Sequence, residues 1–423
     1  MGRTVYQLAT IIDGLSNETF TGSLVVEGPR ILEVGRQVDQ RDGDDVVDCS
    51  GKFICPGFID SHCHLIYRET QDFYEMELAR SIPEATIDAV VNAELLLSQG
   101  FTTVRDLGSR ANIGVMVRDA IAAGLLRGPT VLAAGNIIST VGGLLDGHPS
   151  HIFEGTKYRY GHGEIITGPW EARNAVRRQV KDGVDWIKTE TSGTGFNPLC
   201  PADRDTISEE EFEAVVDEAH RKRRPIAVHA ESREGVIKAA RAGVHTIEHG
   251  IYMDNFGLDL MLENGIAYSP TLALYVHLAD GGLDVGIPRA IVELQRATRD
   301  QHIASVQTAY KAGATIIAGS DAGVPGFPQG GTYKEIELYV NYIGMTPLQA
   351  IQTATSVPAK VFGLEDSIGA LEPGRYADFI ILSADPTVDI TVLQDPQKRE
   401  AVFKAGQLVV KDGMAAGEGV RAI

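Results

Sequence analysis

Two histidines at the end of an apolar run, His62-Cys63-His64, are the residues of this chain best placed to do chemistry. The run enters from a Pro-Gly turn and reads as a strand. Side chains two apart on a strand share one face, with their Cα atoms about 7 Å apart. Two convergent neutral imidazoles at a strand end form half of a metal site. One His-x-His pair is weak evidence, because short histidine pairs arise by chance, so the case rests on residues further along the chain. There, four more short β-branched runs each bring a ligand-type side chain to a strand end: Lys188 after Asp185-Trp186-Ile187, His229 after Pro225-Ile226-Ala227-Val228, His249 after His245-Thr246-Ile247-Glu248, and Asp321 after Thr315-Ile316-Ile317-Ala318-Gly319-Ser320. Runs of this texture read as buried parallel strands.

The elements that must position these six residues can be placed. Strand-like runs fall at 54–62, 101–107, 130–135, 185–191, 225–230, 245–250, 267–272 and 315–321, with helical patterns at Glu84–Ser98, Glu171–Lys181, Glu209–Arg221 and Arg233–Ala242. Strands alternating with helices predict a parallel α/β sheet, and eight of them predict a closed (β/α)8 TIM-like barrel, whose active site is built at the C-terminal strand ends. An open doubly wound sheet is the alternative, but it would not bring the first and eighth strands together. Residues 1–53 and those after about 365 have another texture, with short alternating runs such as Gly22–Glu27, Tyr376–Leu382 and Ala401–Val410. That is antiparallel sheet. Neither end offers enough apolar surface for its own core, so the two are expected to pair into one small β-sandwich. The expected domains are 1–56 plus 362–423 for the sandwich and 57–361 for the metal-binding barrel.

The order His, His, Lys, His, His, Asp at successive strand ends resembles the amidohydrolase superfamily. The stretch Ile368-Gly-Ala-Leu-Glu-Pro-Gly-Arg-Tyr-Ala-Asp378-Phe379 is similar to the re-entry into the sandwich in its imidazolonepropionase-like and Xaa-Pro dipeptidase (prolidase)-like branch. The resemblance covers essentially the whole chain. It implies a binuclear centre in which His62, His64 and Asp321 hold one divalent ion and His229 and His249 a second. A lysine ammonium cannot bridge two cations, so the resemblance further implies that Lys188 is carboxylated to N6-carboxylysine, whose two oxygens bridge the metals. Zinc is the expected ion, and manganese, cobalt or iron also suit such ligands. A divalent metal lowers the pKa of water to about 7 and polarises a carbonyl, and Asp321 is expected to pass the proton to the leaving group.

Each of these residues also has a structural reading. Lys188 could pair with a carboxylate such as Glu190, and Asp321 could cap the loop after the eighth strand. Asp60 shares the face of His62 and is read as an internal hydrogen-bonding group, and His245 as a core histidine that points away from the barrel axis. Tyr252, just after His249, is either an oxyanion donor or a packed rim residue. His148 stands in the loop 142–151, where related dipeptidases often carry Gly-Gly-His-Gly; that motif is absent here, and His148 is read as its histidine. The insertion 142–168 is a lid or an oligomer contact.

The branch includes enzymes acting on dipeptides, N-acyl amino acids, ochratoxin and urea or thiocarbamate herbicides, so a small-molecule amide substrate is expected. The alternatives are cyclic-amide or ester hydrolysis, deamination, and a non-catalytic scaffold. Deaminase-like relatives use His-x-x-Glu at strand six, which His249-Gly-Ile-Tyr252 lacks. All six positions are retained, which argues against the scaffold. The 423 residues carry a formal net charge of −19, which argues against a nucleic-acid partner. The four cysteines (Cys49, Cys55, Cys63, Cys200) show no pairing pattern and suit a reduced compartment. No apolar run reaches the roughly 18–20 residues of a membrane span, and the first residues read as a strand rather than a signal peptide. A cytoplasmic homo-oligomer without membrane contact is expected.

Overall fold

The computed structural model describes residues 2–68, 80–146, 163–196, 200–323, 326–411 and 414–415. The chain divides into two compact units, one of residues 1–60, 94–103 and 332–423, the other of 61–93 and 104–331.

The first unit is built on a nine-stranded sheet to which both ends of the chain contribute. Strand Phe379–Leu382 pairs antiparallel with Phe53–Pro56, which joins the C-terminal hairpins to the N-terminal ones. Arg3–Ile11 pairs with Phe20–Glu27 along one edge. Along its other edge it meets Asp45–Asp48 through residues 4–7 and Phe53–Pro56 through residues 10–11. The change of partner falls at Leu8, where the register shifts and φ is +61°. A strand that switches partners in this way lets one sheet fold over into the two layers of a sandwich. Between the layers, Phe379 stacks on Phe403 at 4.3 Å and Tyr6 meets both edge-on at 5.1 and 5.4 Å. One ring comes from the N-terminal part and two from the C-terminal part, so neither end has this core alone. The apolar run 54–62 is accordingly two strands: Phe53–Pro56 belongs to the terminal sheet, and Phe58–Cys63 begins the barrel.

In the second unit the strands close a ring. The first strand leads to the second (Phe101–Asp106) and third (Thr130–Ala133). Ala134 bridges to Trp186 at the head of the fourth strand, Ile187–Glu190. The fourth pairs in parallel with the fifth (Ile226–Ala230), the fifth with the sixth (Thr246–His249) and the sixth with the seventh (Ala267–Ser269). The eighth segment is not a regular strand. It is tied on one side by Tyr268 N to Thr315 O (2.8 Å) and Ile317 N to Tyr268 O (2.9 Å), and on the other by Ser61 N to Ala318 O (3.0 Å) and Asp321 N to His62 O (2.6 Å). Its approach is close enough that a Cβ on Gly319 would stand 2.6 Å from the Cβ of His62. Glycine here lets the ring close. The fold is therefore α/β, a (β/α)8 barrel with a small β-sandwich from both termini.

The helices follow their sequence signals. Glu209–Arg221 starts from a capping box in which Ser208 and Glu211 satisfy each other's backbone N–H. Arg233–Arg241 and Asn255–Glu263 are capped by Ser232 and Asp254. Two strands appear that the sequence pattern did not indicate, Ile137–Thr140 and Gly163–Ile166, paired in parallel. They flank residues 147–162, which lie outside the described residues, and with them the body of the 142–168 insertion. Among the described residues no helix is long and apolar enough to cross a membrane.

Candidate metal centre

The structure gathers His62, His64 and Asp321: one ligand-type atom from each lies within 4.8 Å of the others. Asp321 Oδ1 is 3.5 Å from His62 Nε2 and 3.2 Å from His64 Nε2. The His249 ring is 5.2 Å from that of His62 and 4.5 Å from that of His229, so the four imidazoles form one buried group.

Hydrogen bonds assign the tautomers. His62 Nδ1 donates to Glu248 Oε2 at 2.9 Å, and His64 Nδ1 donates to Gly108 O at 3.1 Å, because a carboxylate and a carbonyl only accept. Thr271 Oγ1 gives its proton to Pro270 O and so accepts from His249 Nδ1 at 2.7 Å. With one proton each, these three rings carry their lone pairs on Nε2. His229 is reversed: Nε2 donates to Gly193 O at 2.9 Å, which puts its lone pair on Nδ1. Burial keeps three of the four rings neutral. It pushes His62 down to about 4 and His229 to about 3, with Lys188 acting in the same direction, and it holds His249 well below the usual histidine range. Lone pairs and a carboxylate oxygen aimed at one another repel unless a cation lies between them. The donor set thus fits a divalent metal.

Lys188 shares this setting. It is 2% exposed, and its Nζ has no hydrogen-bond partner among the described residues. Burial pushes it down to about 8 against the pull of Glu248 and Asp321. The pairing with Glu190 is not made: Glu190 Oε1 accepts from Ser139 Oγ (2.9 Å) and Leu144 N (3.0 Å) instead. Asp321 is held below the usual carboxylate range. Burial alone would raise it, and positive charge on the neighbouring side chains more than offsets that.

Backbone strain aims two of these residues. His249 has φ +74° and Asp321 +50°, and Thr271, which orients His249, has +51°. For residues other than glycine such values cost about 1–3 kcal/mol each and persist only where surrounding contacts enforce them.

Two carboxylates were not singled out by the sequence pattern. Glu248 sits fully buried between His62 and Arg105, whose Nη2 donates to Glu248 Oε1 at 3.0 Å and whose Nε donates to Ser61 O at 2.6 Å. Burial opposes the Glu248 charge, yet Arg105 and then His62 hold its carboxyl well below the usual range. The carboxylate fixes the His62 ring as partners of metal-ligating histidines do. Glu231 accepts from Tyr275 OH (2.7 Å), Thr194 Oγ1 (2.9 Å) and Gly195 N (3.1 Å), and its Oε1 lies 3.7 Å from His229 Nε2. Burial raises Glu231 to about 7 against those hydrogen bonds. Its spacing of two from His229 on a strand was a signal already present in the sequence.

Three residues remain. Tyr252 is partly exposed, and with Asp203, Ser232, Arg233, Asp254 and Gln301 it lines a cavity of about 700 Å³. His148 lies outside the described residues. His245 does point away from the cluster, but it is exposed rather than in the core, where its Nδ1 accepts from Ile226 N at 3.2 Å.

Residues 53–409 match the amidohydrolase family. Over 396 residues the chain is 32% identical to the ochratoxinase of Aspergillus niger, an alignment covering 87% of this chain and 78% of that one. The crystal structure of that ochratoxinase superposes with a TM-score of 0.86 at 28% identity, over 99% of this chain and 98% of the other. A Xaa-Pro dipeptidase structure with methionine bound in its active site gives a TM-score of 0.85 at 32% identity, over 96% and 99%.

Proposed function

The chain belongs to the amidohydrolase family and is a hydrolase acting on carbon–nitrogen bonds, and from that premise we propose that it cleaves small amides at a centre of two divalent metal ions. The substrates we infer are dipeptides, N-acyl amino acids or amide-bearing xenobiotics of the ochratoxin kind; the likeness to an ochratoxinase and a Xaa-Pro dipeptidase supports this reading. One observation carries it: the convergence of His62 Nε2, His64 Nε2 and Asp321 Oδ1, with both histidines buried and each ring's Nδ1 already engaged as a donor.

His62, His64 and Asp321 would hold one ion, and His229 through Nδ1 and His249 through Nε2 a second, with zinc the first candidate. Such ions supply Lewis acidity toward the scissile carbonyl and lower the pKa of water to about 7. The chain's own residues do the rest. The buried amine of Lys188, without a hydrogen-bond partner among the described residues, is suited to attack CO2, forming an N–C bond and releasing one proton, and the resulting carbamate would offer two oxygens to the ions. Asp321, ionised at neutral pH, takes the proton of the attacking water and returns it to the leaving nitrogen. Glu248 and Arg105 keep His62 in its working tautomer. Tyr252 is assigned as donor to the substrate carbonyl, and His148 as a substrate contact.

The test is metal analysis of protein purified without chelators, beside a hydrolysis screen of Xaa-Pro dipeptides, N-acyl amino acids and aryl amides. About two metals per chain with amide turnover is expected. About one metal with ammonia released from ring substrates would replace this reading with deamination. Protein without metal or turnover would leave the cluster a relic.

A further inference from the structure

The helix Arg289–Lys311 turns a polar stripe inward. Gln295, Thr298, His302 and Ser305, spaced three or four apart, are all buried on it. An amphipathic helix ordinarily buries an apolar stripe, so buried polar groups at this spacing need partners. Three of the four reach backbone carbonyls beyond the ends of the barrel strands. Gln295 Nε2 donates to Gly195 O at 3.2 Å, His302 Nε2 to His249 O at 2.8 Å, and Ser305 Oγ to Ile251 O at 2.8 Å. The His249 carbonyl receives a second donor, the hydroxyl of Tyr268 at 2.7 Å. His302 and Tyr268 are both fully buried, and the His302 ring is braced edge-on against Tyr275 at 5.0 Å.

The carbonyl they grip belongs to the residue whose backbone is held at φ +74°. On an extended strand, neighbouring side chains alternate sides. Glu248 reaches His62 Nδ1, and the positive φ of the next residue turns the His249 ring toward His62 and His229 as well. A relaxed φ would swing the ring out of the group. Since a carbonyl only accepts, both donors are fixed in direction and together hold the peptide plane.

We propose that His302, with Tyr268, is a positioning residue for the metal centre: it clamps the His249 carbonyl and so keeps the His249 ring in place as a ligand. His302 touches no substrate and acts through His249. The inference rests on the metal reading above.

The test is cobalt titration of chelator-stripped protein, followed by visible absorption and metal analysis, for the full-length wild type and three variants. Circular dichroism of the metal-free forms reports folding independently. His302→Phe is expected to weaken one of two cobalt equivalents about 10- to 100-fold, the usual effect of removing a partner behind a ligand. His302→Gln, whose amide nitrogen still donates, is expected to restore affinity to within about fivefold. Tyr268→Phe removes one hydroxyl only and carries the test if His302→Phe does not fold; a loss of about three- to tenfold is expected. In hydrolysis, His302→Phe should lower kcat at limiting metal, recover with added metal and leave KM unchanged. Wild-type affinity in the folded Phe variants would overturn the clamp. So would a His302→Gln as impaired as His302→Phe, since the ring would then act by packing alone. A wild type that takes up no cobalt would overturn the metal reading together with this inference, whereas a wild type that binds beside silent variants overturns the clamp alone.

Discussion

Two lysine settings in this molecule differ in a telling way. In the terminal sheet, Lys404 Nζ donates to Asp378 Oδ2 at 2.6 Å, and Ala405 N donates to the same carboxylate at 2.7 Å. That charge is satisfied locally, beside a core of stacked aromatic rings. In the barrel, Lys188 is buried with no hydrogen-bond partner among the described residues, beside lone pairs aimed at one another. Backbone strain shows the same contrast. Leu8 at φ +61° is about half exposed and marks where a strand changes partner, whereas His249, Thr271 and Asp321 spend theirs on orienting side chains in the candidate metal centre. The terminal unit is arranged for stability. The barrel end is left polar and strained, a condition that binding a cation would relieve.

This contrast can be tested at several points. Lys188→Ala should cause the largest change: metal lost, amide turnover down about 10³- to 10⁴-fold, and partial rescue by short carboxylic acids. Unchanged metal content in that variant would remove Lys188 from its bridging role. Phe403→Ala should act in the opposite sense, lowering unfolding free energy by about 3–5 kcal/mol while kcat of the folded enzyme stays within about twofold. Chemical denaturation beside steady-state kinetics reads both, and a large fall in kcat would show that the two regions are not separable. Glu248→Gln should weaken metal binding about 10- to 100-fold in a chelator competition, by loosening His62 and leaving Arg105 without its charge partner. Asp321→Asn removes a charge that its surroundings hold ionised: turnover falls about 10²- to 10⁴-fold, and the metal-free protein melts lower than wild type at neutral pH, because a carboxyl held below its usual range favours the folded state once it is ionised. An unchanged or higher melting point would mean that the charge is uncompensated in the metal-free fold. Lys404→Ala should matter least, costing about 1 kcal/mol or less in a melt, since the pair is partly solvated and Ala405 N still serves Asp378.

Much of the architecture was legible in the sequence, and for local reasons. β-branched apolar runs and helix caps act within a few residues, so the strand ends carrying His62, His64, Lys188, His229, His249 and Asp321 could be found by pattern alone. The pairing of the two termini followed from a shortage of apolar surface at each. Tertiary structure decided what depends on distant partners or on the sign of φ. Arg105 reaches Glu248 and Glu248 reaches His62 across more than a hundred residues, and no local pattern encodes such a bond. Period-two alternation predicts neighbouring side chains on opposite faces, and only the positive φ of His249 sets that rule aside. The irregular eighth strand is held by its neighbours' backbone rather than by its own ladder. Which residues are candidate ligands could be read from side-chain chemistry and spacing; which nitrogen of each ring faces the cluster depends on hydrogen bonds that exist only once the barrel has closed.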